Sequence, residues 1–185
     1  MLSLLKNRRT IRKFKQDEID WESLLKMVDC ARLAPSAANL QPLKYKIICG
    51  EDAKKMFPHT AWAGYSGGAE TPKDNEAPVA YILILEDTAL KQTKFTGVDV
   101  GAAGMSITVA AESMGIKSCW LGSLDREKIA EEFNIDARFV INSAIALGYP
   151  LDTAAETAFK GDVKYFRDEN GKFLVPKRSI EDILI

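Results

Sequence analysis

Residues 79–85 read V-A-Y-I-L-I-L, seven apolar positions with no polar interruption. A run this short and unbroken predicts a strand covered on both faces, because a half-exposed strand alternates apolar with polar. Residues 139–147 give another apolar strand, closed by Gly148-Tyr149-Pro150. A strand covered on both faces requires a sheet with helices on either side. The remaining pattern supplies them.

Asp20 is a candidate N-cap, after which Trp21, Leu24, Leu25, Val28 and Ala31 follow helical spacing. The helix is expected to stop near Leu33, since the residue before Pro35 is pushed out of the α region. Tyr45, Ile47 and Cys49 then alternate with Lys44 and Lys46 as a strand with one wetter face, and a short helix is expected over 51–57. Residues 64–78, rich in Gly, Pro and charge, predict a long surface loop. A helix of mostly small residues follows over 96–114, ending at Gly115. Gly101, Ala102, Ala103, Gly104, Ala110 and Ala111 let another backbone approach, so this helix is expected to be central or at a subunit interface. A strand over 117–121 breaks at Gly122, and a charged amphipathic helix covers 125–133. Residues 151–185 lack an obvious core and predict an extended arm lying on something larger, a dimer partner being one candidate. Sheet strands interleaved with helices give an α+β class, a mixed central sheet sandwiched by helices.

At 185 residues the chain is expected to form one domain, 1–185, able to bury about 70% of its unfolded surface. Its net charge of −1 argues against a nucleic-acid or membrane-surface role. The three cysteines, Cys30, Cys49 and Cys119, are widely spaced and form no C-x-x-C pair. They suit a reducing cytoplasm and offer neither a disulfide framework nor a zinc site. No stretch reads as a signal peptide or a membrane span.

Residues 1–16 carry Lys6, Arg8, Arg9, Arg12, Lys13 and Lys15 and no acid. A solvated basic face is the plain reading of such a run. Arg8, Arg9 and Thr10 also offer two guanidinium forks and a hydroxyl in consecutive positions, the chemistry a terminal phosphate needs. Residues 34–42, A-P-S-A-A-N-L-Q-P, join helix to strand. Their proline, serine and asparagine suit a turn for conformational reasons alone. Ser36, Asn39 and Gln41 also place donors and acceptors in a loop with little bulk.

Other motifs fail their context. G-x-S-x-G at 64–68 resembles a hydrolase nucleophile elbow but is followed by loop, and His59, the single histidine, precedes the serine. One histidine assembles no typical metal site. Gly101-x-x-Gly104 lies inside a helix and is no dinucleotide fingerprint. Glu131-Glu132 sits on a wet helix face. An enzyme built from these residues needs its chemistry from a cofactor.

Taken in order, the segments resemble the FMN-dependent nitroreductase family. N-R-R-T-I-R-K-F at 7–14 is similar to that family's R-R-S-x-R-x-F opening, and 34–42 to its A-P-S-x-x-N-x-Q-P loop. W-A-G-Y at 62–65 and A-P-V-A at 77–80 match two further segments. Residues 99–121 resemble its D-x-G-x-A helix and G-(L/I)-x-x-C-W strand, while A-L-G-Y-P at 146–150 and P-K-R at 176–178 resemble its closing signals. These segments, in register, span nearly the whole chain.

The resemblance implies a nitroreductase-like fold with an extended C-terminal arm, and a cytoplasmic homodimer with FMN in two interface sites. Arg8 and Arg178 would hold the phosphate, with Lys177 beside it, and Arg9 and Thr10 would support phosphate and ribityl chain. Arg12 would lie near the N1–O2 edge of the flavin, where a cation favours the negative charge of the reduced ring. Pro35, Ser36, Asn39 and Gln41 would come from the other subunit, and Leu121 and Gly122 would approach N5. The implied activity is ping-pong hydride transfer from NAD(P)H through FMN to a nitroaromatic, quinone or similar conjugated acceptor. The alternatives are an FMN-binding module without turnover and another flavin reaction, such as reductive dehalogenation or flavin breakdown. Leu43 stands where the family often has Trp, and Met105-Ser106 where it often has Gln-Asn.

Overall fold

The computed structural model describes residues 2–62 and 70–185. The G-x-S-x-G match at 64–68 and the first part of the 64–78 loop lie outside these residues. Helices α1 (Leu2–Asn7), α2 (Trp21–Arg32), α3 (Glu51–Met56), α4 (Thr96–Ser113) and α5 (Arg126–Glu132) surround a four-stranded sheet. Its strands are β1 (Leu43–Cys49), β2 (Ala80–Asp87), β3 (Lys117–Leu121) and β4 (Phe139–Gly148), in the order β1-β2-β4-β3.

Both central strands are covered on both faces, as their apolar runs require. Ala80, Ile82 and Ile84 of β2 join Ile145 and Leu147 of β4 under α2 and α4, against Leu24, Met27, Val100, Ala103 and Ile107. Tyr81, Leu83 and Leu85 point the other way with Ala144 and Ala146, and meet α3, α5 and Trp62 through Ala53, Met56 and Ile129. The result is three layers, helix–sheet–helix. Pairing within the four strands is antiparallel. Parallel pairing enters at the sheet edge, where Thr10 forms an isolated parallel bridge with Ser118 of β3.

Local signals set the element ends. Asp20 caps α2 by accepting the Ser23 N–H at 2.8 Å. Gly115 ends α4 with φ of 74°, a conformation glycine adopts without a Cβ penalty. The N-terminal stretch after α1 is pinned along the sheet: the Lys15 N–H donates to the Tyr149 carbonyl at 2.8 Å and the Leu151 N–H to that of Lys13 at 3.0 Å. Phe14 is fully buried there, and its ring lies where a Cβ on Gly148 would stand.

Two features exceed the sequence expectation. Residues 2–7 form a helix, which no sequence signal marked. The C-terminal arm is itself a sheet: β5 (Ala154–Ala158), β6 (Phe166–Arg167) and β7 (Phe173–Lys177), in the order β5-β7-β6. Phe173 buries its ring, leaving 5% exposed. The arm lies on something larger, as expected, and within this chain that is the N-terminal arginine segment.

Candidate functional site

Arg8, Arg9, Thr10 and Arg12 are fixed beside β3 by the Thr10–Ser118 bridge and by the Ile11 N–H, which donates to the Ser118 carbonyl at 3.1 Å. The Nε atoms of Arg8, Arg9 and Arg12 are buried and have no hydrogen-bond partner among the described residues. Arg9 reaches Glu156 of β5 through Nη2 at 2.6 Å and its own neighbour's carbonyl, that of Arg8, through Nη1 at 2.6 Å. Neither Arg8 nor Arg12 forms an ion pair among the described residues. Burial lowers the pKa of Arg8, the adjacent Arg9 charge lowers it further, and Glu112 of α4 opposes both. Three arginines within five residues, of which only Arg9 is ion-paired among the described residues, form a segment short of negative charge, which a phosphate dianion and an electron-rich ring edge would suit.

Leu121 and Gly122 stand at the end of the same strand. Leu121 is buried, and a Cβ on Gly122 would meet nothing within 4 Å. Arg126, which sequence reasoning missed, fixes this turn. Its Nη2 donates to the carbonyls of Gly122 at 3.0 Å and Asn142 at 2.7 Å, and its Nε to that of Ile141 at 2.8 Å. Trp120 lies over α4 at Gly104, where a Cβ would come within 2.2 Å of the indole.

The loop over 34–42 is held separately. The Gln41 N–H donates to Ser36 Oγ at 3.0 Å, and Gln41 Nε2 to the Asn39 carbonyl at 3.2 Å. Ala38, Asn39 and Gln41 all have positive φ, 49°, 53° and 50°. Such strain on non-glycine residues persists only where the surroundings impose it, and it concentrates at binding sites. Asp99, 5% exposed, ties the loop to α4 by accepting the Ala37 N–H at 2.9 Å. Asp99 opens the segment that resembles the D-x-G-x-A helix, but only the fold shows that it holds this loop. Pro35 and Ser36 border two cavities, one of about 170 Å³ against Tyr45 and one of about 720 Å³ against Phe95, Val98 and Ala102.

The predicted residues therefore form two groups. Asp99, which holds the loop, and Glu112, whose charge acts on Arg8, are 13 positions apart on α4, or about 20 Å at 1.5 Å per residue. Lys177 ends β7, and Arg178 follows with its guanidinium 4.4 Å over the Phe159 ring. Among the described residues no hydrogen bond joins Arg178 to Arg8. Between loop and turn, α4 exposes Val98 (67%) and Met105 (37%), with Phe95 just before it. No helix among the described residues is long and apolar enough to cross a membrane.

Comparison with known proteins gives a consistent result. The profile of the nitroreductase family matches residues 5–149. A Methanothermobacter thermautotrophicus protein with the provisional name NADH dehydrogenase/NAD(P)H nitroreductase is 30% identical over 156 residues, covering 82% of this chain and 78% of that one. The 5,6-dimethylbenzimidazole synthase of Rhodospirillum rubrum is 24% identical over 178 residues, covering 81% of this chain and 82% of that one. Among solved structures, a provisionally named nitroreductase from Desulfovibrio desulfuricans in complex with FMN superposes with a TM-score of 0.75, at 20% identity, covering 100% of this chain and 94% of that one.

Proposed function

Because the chain belongs to the nitroreductase family, we propose that it is an FMN-dependent oxidoreductase acting as a cytoplasmic homodimer. In this reading the whole chain, 1–185, is one flavin-binding unit that takes hydride from NAD(P)H and delivers it to a nitroaromatic, quinone or similar conjugated acceptor. The observation that carries the reading is the row of buried, unpartnered Nε atoms on Arg8, Arg9 and Arg12 beside β3. The FMN bound in the Desulfovibrio desulfuricans structure supports the choice of anion.

FMN, when bound, supplies reversible hydride uptake. Arg8 and Arg178, with Lys177, hold its phosphate, and Arg9 and Thr10 support phosphate and ribityl chain. Arg12 stabilises negative charge at the pyrimidine edge of the ring. Leu121 and Gly122 leave room at the reacting face, and Arg126 keeps their backbone in place. Pro35, Ser36, Asn39 and Gln41 complete the wall from a second copy. The apolar surface of Phe95, Val98 and Met105 on and beside α4 supports that copy, since a helix apolar on all sides is one that is covered.

Titration with FMN tests the assignment. Each charge-assisted hydrogen bond contributes about 1.5–3 kcal/mol, so Arg8→Ala is expected to weaken FMN binding about tenfold or more. Dilution below the dimer dissociation constant is expected to release flavin. Unchanged affinity in Arg8→Ala, or flavin retained by a monomer, would refute the assignment.

A further inference from the structure

Tyr165 and Phe173 have no part in the site described so far, yet both lie against one of its arginines. Their ring centroids are 4.9 Å apart. The Arg12 guanidinium lies 4.7 Å from the Tyr165 centroid and 5.4 Å from that of Phe173. Both rings belong to the C-terminal sheet, Tyr165 just before β6 and Phe173 at the start of β7.

This aromatic pair is anchored rather than draped. Arg167 lies 5.2 Å from the Phe173 centroid. It donates through Nη2 to Asp152 Oδ2 at 2.6 Å and through Nε to Glu70 Oε1 at 2.8 Å. The space bounded by Thr10, Arg12, Asp152 and Phe173 is only about 10 Å³, so the sheet is seated directly on the arginine segment. A guanidinium over an aromatic ring is attracted through its flat face and keeps its N–H donors in the plane for other partners. Arg12 has no carboxylate to occupy those donors among the described residues.

We infer that Tyr165 is a positioning residue of the flavin site: with Phe173 it holds Arg12 stacked, its in-plane donors directed to the negative edge of the reduced ring. The C-terminal sheet thereby sets the charge environment of the cofactor. This rests on the FMN reading above.

The test uses the full chain loaded with FMN, as wild type, Tyr165→Phe and Tyr165→Leu. The readouts are FMN affinity and flavin midpoint potential. Tyr165→Phe keeps the ring and is expected to match wild type in both. Tyr165→Leu is expected to lose about tenfold of the preference for reduced over oxidised flavin, which is about 30 mV of lowered potential for a two-electron couple. Combining it with Arg12→Leu is expected to give no further shift, because Tyr165 acts through Arg12. An unchanged potential in Tyr165→Leu, an equal fall in Tyr165→Phe, or additive shifts with Arg12→Leu would overturn the inference while the FMN reading stands. A wild-type protein with no FMN affinity would overturn both.

Discussion

Asp99 accepts the backbone N–H of Ala37 at 2.9 Å across 62 residues of chain, tying the strained loop over 34–42 to α4. Asp99→Ala removes the acceptor and leaves a part-buried N–H without a partner, at a cost of about 1–3 kcal/mol. Asp99→Asn keeps an acceptor in place and is expected to recover most of that loss. Urea unfolding of the two variants measures the difference. Equal stability in Asp99→Ala and wild type would show that the loop holds its shape unaided.

Gly148 faces Phe14 with no space between them. A Cβ on Gly148 would stand 2.7 Å from the Phe14 Cβ and 2.8 Å from ring atoms, and Phe14 is fully buried. Gly148→Ala is therefore expected to destabilise the protein by about 1–3 kcal/mol, the range for overpacking a filled core. Thermal denaturation reads this as a lowered Tm. Because Phe14 is clipped to the segment carrying Arg8–Arg12, FMN affinity is expected to fall with it.

Three carboxylates set the acid limit of the fold. Hydrogen bonds from Arg138 hold Asp87 below the usual carboxylate range, and those from Arg167 do the same for Glu70. Burial pushes Asp152 up, but the Arg167 and Thr153 hydrogen bonds outweigh it and the net direction is down. Each group binds its proton less readily folded than unfolded, where ordinary values are about 3.9 for Asp and 4.3 for Glu. Their stabilisation is thus complete above about pH 5 and is lost as pH falls below about 4 through the folded values. The urea midpoint is expected to be level from pH 7 to 5 and to drop below 4, with a shallower drop in Asp87→Asn. A midpoint that rises on acidification would contradict this.

Much of this architecture was legible because its signals are local. The apolar run over 79–85 reads correctly since a strand buried on both faces needs no periodicity, and β2 occupies Ala80–Asp87. The cap at Asp20 and the stop at Gly115 are set by their own side chain and φ. Helix α1 was not legible because it buries none of its residues, so no apolar stripe marks it. The C-terminal sheet was hidden for another reason. Its β5 reads A-A-E-T-A and β6 is two residues long, and what seats them are distant contacts, Arg9 to Glu156 and Arg12 to Tyr165. The site divides the same way. The arginine cluster, the 34–42 loop and Asp99 of the D-x-G-x-A segment stand in the sequence as motifs, whereas Arg126 and Tyr165 act through backbone carbonyls and ring faces that the fold alone brings to them.

The central claim is that this chain binds FMN and that the bound flavin accepts electrons from a nicotinamide. The visible spectrum of the purified protein, recorded without oxygen before and after excess NADH and then NADPH, tests it directly. The account predicts a flavin absorbance that bleaches with at least one nucleotide. A bound flavin that stays yellow with both would contradict the oxidoreductase reading, and a colourless protein that takes up no added FMN would contradict the cofactor assignment itself.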